Sequence, residues 1–281
     1  MTWKIVADSG CDLAALQGAE EGLRFVRVPL TLQVGSQVFI DDEGMDIDGM
    51  LELLKTTKAA ATSACPSPDA YMKAFEDADN ILVITITGGL SGSQNSAQIA
   101  KSLFLEQHPD VNIHVIDSLS AGGEMDLLVL KMQELIQSDL SFDDVVEQID
   151  AYRAKTKLLF ALAKVDNLVK NGRLNKVVGK VVGLLNIRIV GEASAEGKLD
   201  VLHKVKGQKK SVSTLYKEMV TAGYQGGRVM VAHCRNEKIG QQLKDLIAED
   251  YPQADVEVIA TSGLCSFYAE EGGILMGYET A

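Results

Sequence analysis

Between Ile84 and Ala97 the chain reads ITITGGLSGSQNSA: β-branched residues break into glycines and serines, then resume as helix-forming sequence. A buried strand that feeds a helix through so short a joint fits an α/β layer, with helices covering a largely parallel sheet. The same alternation surrounds the joint. Apolar runs at residues 3–7, 25–34, 81–87 and 111–116 read as buried strands. Segments of helical period lie between them, at residues 57–71, 95–105 and 127–136. Pro68 is placed to open a helix that runs to Phe75. Ser141 opens another, with Phe142, Val145, Val146, Ile149 and Tyr152 on one stripe.

After about residue 155 the texture changes. A strand at 158–163 is followed by a short helix at 166–170 that stops at Asn171-Gly172, and by a helix at 175–185. Strands at 187–193 and 199–206 flank a hairpin turn at Gly197. Two helix–strand units follow, 211–222 with 229–233 and 237–248 with 256–261. The expectation is two α/β domains: residues 1–155 around a largely parallel sheet, and 156–281 around a mixed α+β sheet. The length of 281 residues suits that division.

Bulk properties narrow the function. A formal net charge of −12 opposes a nucleic-acid groove, which needs a basic face. The N-terminus shows no apolar leader, and no run nears the roughly 18 apolar residues of a membrane span. Cys11, Cys65, Cys234 and Cys265 are scattered, with no Cys-x-x-Cys pair, so free thiols in a reducing cytoplasm are expected and no metal site.

The joint itself is suited to an anion. A glycine-rich turn at a helix N-terminus offers free N–H groups and the positive end of the helix dipole. A nucleotide phosphate fits poorly. Gly92-Ser93-Gln94 lacks the Walker A lysine, and Gly88-Gly89-Leu90-Ser91-Gly92 lacks the Gly-x-Gly-x-x-Gly pattern. Gly89-Leu90-Ser91-Gly92-Ser93 approaches the nucleophile elbow of a serine hydrolase, which would need His203 or His233 beside Ser91. An ordinary turn capped by Ser91 or Ser93 is the third reading.

Six segments, in order along the chain, together resemble the DegV family, whose members are the fatty-acid-binding subunits of bacterial fatty acid kinase. VADSGCDL (6–13) resembles the family's opening Thr-Asp-Ser-Thr-Ala-Asp-Leu, and VPLTLQVGSQVFID (28–41) its Val-Pro-Leu strand. SACPSPDAY (63–71) resembles Thr-Ser-Gln-Pro-Ser-Pro, and LSGSQNSA (90–97) resembles Leu-Ser-Gly-Thr-Tyr-Gln-Ser-Ala. VIDSLS (115–120) and LVKNGRL (168–174) also have counterparts. The resemblance implies two α/β domains with a buried acyl tunnel between them and no chemistry or cofactor of the chain's own. It implies that Ser91 and Ser63 hold the lipid carboxylate, with Thr62 as the alternative if the register slips by one, assisted by Gly92 and Ser93. The partners it implies are a long-chain fatty acid and a separate kinase subunit, with transient membrane contact.

The chain departs from the family pattern near its end. Tyr268 stands where the family has the histidine of His-x-Gly-Pro-Gly, and Glu270-Glu271 replaces the Gly-Pro; that pair reads as a solvated turn. Lys206-Gly207 replaces an Arg-Thr, whereas Arg173 is kept. Tyr268, Arg173 and Lys206 complete the expected head-group set. The departures leave room for a different small ligand.

Overall fold

The computed structural model describes residues 1–57, 60–175 and 186–281. The first sheet holds β1 (Trp3–Asp8), β2 (Leu23–Val28), β6 (Asn80–Thr85) and β7 (Asn112–Asp117) in the order β2-β1-β6-β7, all parallel. The pleat divides its apolar residues between two cores. Val6, Ile81 and Val83 pack against Tyr71 and Phe75 of α2 (Pro68–Phe75) and Phe104 of α3 (Ser93–Gln107). Ile5, Ala7, Leu82 and Ile84 face the other way, toward Met125 and Leu128 of α4 (Gly123–Ile136).

The second sheet is mixed, in the order β10-β9-β8-β13-β11-β12. Its strands are β8 (Thr156–Leu162), β9 (Ile187–Ala193), β10 (Leu199–Lys206), β11 (Val229–His233), β12 (Val256–Ala260) and β13 (Ile274–Glu279). Only the β11–β12 pairing is parallel. On one face Leu159, Ala161 and Met276 meet Leu215 and Met219 of α7 (Gln208–Thr221) and Leu243 of α8 (Glu237–Asp250). On the other, Leu158, Phe160, Leu162 and Leu275 join the core that contains α4. Two glycines make that junction close. A Cβ on Gly277 of β13 would lie 2.4 Å from the Glu124 Cα, and one on Gly123 would lie 2.4 Å from the Met230 carbonyl oxygen.

Several expectations need correction. Residues 25–34 are not one strand: Pro29, which has no N–H to donate, separates β2 from β3 (Thr31–Val34). With β4 (Gln37–Ile40) and β5 (Ala61–Ala64), β3 forms a small antiparallel sheet in the order β4-β3-β5. The helical reading of residues 57–71 therefore fails at β5, and α2 starts only at Pro68, where the Ser67 hydroxyl accepts the Ala70 N–H. Helix α1 (Ile47–Thr56), capped by Asp46, lies just before it. Ser141 caps α5 (Phe142–Arg153) as expected, and α6 (Asp166–Lys170) is also present. Helix α9 (Gly263–Ala269) and β13 were not anticipated. The helix expected at 175–185 falls, beyond Asn175, outside the described residues.

Candidate functional site

A cavity lies beyond the carboxyl ends of the parallel strands, the usual ligand position in an open α/β sheet. Leu30, Ile86 and Ala121 follow β2, β6 and β7 and form one wall; Leu158, Phe160 and Leu162 on alternate positions of β8 form the opposite one. Helix α9 supplies Leu264, Cys265, Tyr268 and Ala269. The atom-free space, counted to its open mouth, is about 670 Å³. Among the described residues, and apart from the Cys265 thiol, the polar lining residues are Ser63, Ser91, Arg173 and Tyr268. At Leu90, Arg173 and Leu199 the cavity opens into a wider polar groove that adds Lys198, Asp200 and Asn171.

Tyr268 links two of these residues, Ser63 and Arg173, and Arg173 reaches the Leu90 carbonyl beside Ser91. Of Thr62 and Ser63, strand register turns Ser63 toward the cavity: it sits opposite Leu32 and faces inward, whereas Thr62 is exposed on the other face. The Ser63 Oγ and Tyr268 Oη are 2.7 Å apart. Burial pushes the Tyr268 phenol pKa up, so it keeps its proton and can donate to Ser63. The Arg173 guanidinium lies 5.6 Å from the centre of the Tyr268 ring. It also donates to the Leu90 carbonyl at 3.3 Å and the Asn171 carbonyl at 3.0 Å, tying Tyr268 to the glycine-serine joint.

The joint is a closed turn. Gly88 donates its N–H to Asp117 (3.1 Å), Gly89 to the Thr87 hydroxyl (3.0 Å), and Leu90 and Ser91 to the Thr87 carbonyl (both 3.2 Å). Ser93 donates its N–H to Ser91 Oγ at 3.2 Å. The group presented to the cavity is the Ser91 hydroxyl, whose proton remains free to donate. Gly92 caps α3 without lining the cavity. Ser93 is buried elsewhere: its hydroxyl donates to Asp8 and lies 2.7 Å from Tyr71 Oη. Asp8 also accepts the Gly10 and Ile86 N–H groups, and burial pushes its pKa up to about 6. Ser93 therefore serves a polar network beneath the joint rather than the cavity.

Lys206 does not join the site. It is exposed at the far end of β10, seven residues from Leu199, or roughly 20 Å along a strand. Glu270 and Glu271 do not form a free turn. The Glu270 carboxylate is half-buried and accepts the Asn167 N–H at 3.2 Å, and Glu271 pairs with Lys55 at 2.9 Å. Ser91 has no histidine partner. His203 pairs with Glu218 (2.8 Å), His114 faces Asp150 (3.4 Å), His233 accepts the Asn236 N–H, and His108 stacks on Phe104. The apolar lining was legible only as the apolar strand expected at 158–163; its use as a cavity wall had no sequence signal.

The profile of the DegV family, described as uncharacterised proteins, matches residues 2–279. The chain belongs to the DegV family. A DegV domain-containing protein of Streptococcus pneumoniae strain R6 is 63% identical over 279 residues, 99% of each chain. Among solved structures, the S. pneumoniae fatty acid kinase B3 protein loaded with linoleic acid aligns over 100% of both chains, with 62% identity and a TM-score of 0.99. A DegV protein from Eubacterium eligens loaded with heptadecanoic acid aligns over 100% of both chains, with 40% identity and a TM-score of 0.96. The two-domain DegV architecture, a parallel sheet plus a mixed sheet, is shared with them. Among the described residues, no helix of this DegV chain is long and apolar enough to cross a membrane.

Proposed function

We propose that the chain binds one long-chain fatty acid, with its tail in the apolar cavity and its carboxylate between Ser63 and Ser91, and presents that head group to a separate kinase. The observation that carries this is the segregation of the lining: Ser63, Tyr268 and Arg173 are in contact, Arg173 bonds the Leu90 carbonyl next to Ser91, and the other described lining residues are apolar apart from Cys265. The fatty acids held by the pneumococcal and Eubacterium relatives support it.

Each buried CH₂ contributes about 0.8 kcal/mol, so a long tail supplies on the order of 10 kcal/mol before ordering costs. Hydrogen bonds to the charged head add roughly 1.5–3 kcal/mol each and set its orientation. Tyr268 donates to Ser63, which leaves the Ser63 hydroxyl proton for the carboxylate. Arg173 lowers the cost of placing that negative charge beside the joint. The mouth at Leu90, Arg173 and Leu199 lies at this polar end, where a phosphoryl donor must reach. The hydrolase reading lacks a base, since no histidine lines the cavity.

The test is native mass spectrometry of the purified protein, followed by organic extraction. A co-purified fatty acid that is lost or weakened in Ser91→Ala supports the reading. A ligand-free mass, with no thermal shift on adding fatty acid, refutes it. Acyl-phosphate formation with an added kinase subunit, absent without it, tests the carrier role.

A further inference from the structure

Behind the cavity wall lies a cluster of carboxylates that the head-group site does not use. Asp126, in the first turn of α4, is wholly buried, and Asp12 is 7% exposed. One oxygen of each is well used. Asp126 Oδ1 accepts the Asp12 N–H at 2.8 Å and the Cys11 thiol at 3.1 Å. Asp12 Oδ1 accepts the N–H (2.6 Å) and hydroxyl (2.8 Å) of Ser262, the cap of α9. The second oxygens, Asp12 Oδ2 and Asp126 Oδ2, are both buried, and neither has a hydrogen-bond partner among the described residues. The groups that face the pair are the thiols of Cys11 and Cys265 and the Asp41 carboxylate, with Asp8 beyond Asp41; Arg27 acts on Asp41. The Asp12 N–H bond to Asp126 brings the two side chains together, the Asp12 charge acts on Asp126 in a low dielectric, and one proton shared by the unpaired oxygens removes that repulsion. Among the described residues no group of three ligands is arranged to hold a metal ion in its place.

The pair is one residue away from the acyl cavity. Cys265 lines the cavity and acts on Asp12. Leu275 lines it as well, and only Gly122 separates Leu275 from Asp12: a Cβ there would lie 2.8 Å from Leu275 Cδ1 and 3.2 Å from Asp12 Oδ2.

We propose that Asp12 and Asp126 share a single proton, and that filling the cavity with an acyl chain strengthens their hold on it, so that ligand loading takes up a proton from solvent. This rests on the fatty-acid reading above. An acyl tail fills the cavity beside the pair with hydrocarbon and keeps water from it, which disfavours its doubly charged form. By reciprocity, protonation of the pair raises ligand affinity. Burial pushes both carboxyls up, the Asp12 charge raises Asp126 further and the Asp41 charge raises Asp12, so the proton is lost only as pH rises. Affinity is therefore highest on the acid side and falls through the pair's titration, by up to about tenfold per pH unit.

The test is isothermal titration of the full chain with linoleate between pH 6.5 and 8.5, in buffers of different ionisation enthalpy. Wild type is expected to take up a fraction of a proton on binding. Asp126→Asn, which can donate its own N–H across the gap, is expected to take up none and to lose most of the pH dependence of Kd. Equal uptake in the two proteins would place the proton elsewhere, for instance on the ligand, and overturn the proposal, as would no uptake in wild type. Should Asp126→Asn not fold, infrared difference spectroscopy of ligand-free wild type against Asp12→Asn decides the first part: a protonated-carboxyl C=O component lost in the variant supports the shared proton, and spectra unchanged in that region refute it. Failure of the fatty-acid reading is distinguishable, because linoleate would then give no binding heat while the infrared band is unaffected.

Discussion

At the scale of single residues, three neighbouring hydroxyls have three fates. Ser91 faces the cavity, Ser93 holds Asp8 in the core, and Ser63 rather than Thr62 turns inward. Their substitution effects are expected to separate accordingly. Ser63→Ala and Ser91→Ala are each expected to weaken fatty-acid binding by about 10- to 100-fold in a fluorescent-ligand displacement assay, with little change in melting temperature. Ser93→Ala is expected to do the reverse: it strips a buried bond from Asp8 and Tyr71, costing about 1–3 kcal/mol in urea unfolding while leaving affinity within a few-fold. Sequence spacing marked all these residues as candidates, because the GGLSGS turn and the SACPSP segment announce a polar joint. It could not rank them. Which hydroxyl points inward depends on the pleat of a four-residue strand and on a turn closed by Thr87 and Asp117, both set by partners far along the chain.

At the scale of elements, the hairpin β9–β10 carries its turn against the joint. A Cβ on Gly197, where φ is +69°, would lie 1.9 Å from Thr87 Oγ1. Gly172, with φ +73°, has no atom of the described residues within 4 Å of such a Cβ. Gly197→Ala is therefore expected to cost several kcal/mol, strain plus overpacking, and Gly172→Ala only the left-handed strain of about 1–2 kcal/mol, both read from denaturant midpoints. A similar loss in the two variants would contradict the docking of the hairpin. Gly197 was legible as a turn; its contact with Thr87 was not. Elements with strong periodicity, such as α4 and α5, were read correctly. The strand Ala61–Ala64, composed of small residues, was not, because its strand character comes from pairing with β3 rather than from propensity. Helix α1 was missed although Asp46 and the buried Met50 and Leu51 gave it a cap and a face.

At the scale of the whole molecule, buried carboxyls set the response to pH. The folded chain holds Asp8 near pKa 6 against an ordinary 3.8, and burial also raises Asp41, Glu124 and Glu270. The sign follows from linkage. The folded state keeps protons that the unfolded chain has lost, so this stability is complete below about pH 4 and is lost as pH rises through about 6. Asp8 alone accounts for on the order of 3 kcal/mol. The urea midpoint is expected to be higher at pH 5 than at pH 8; the opposite order would mean that exposed ion pairs, each worth little, dominate instead. The crossing of Gly123 on Gly277 has its own consequence at this scale. Ala121 and Leu275, two residues from each glycine, stand on the cavity walls, so the separation of those walls is gauged by bare backbone touching bare backbone. The calibre of the bore is then machined at a point no ligand reaches. A methyl group added there would force the walls apart, at a cost in stability, without altering any residue that lines the cavity.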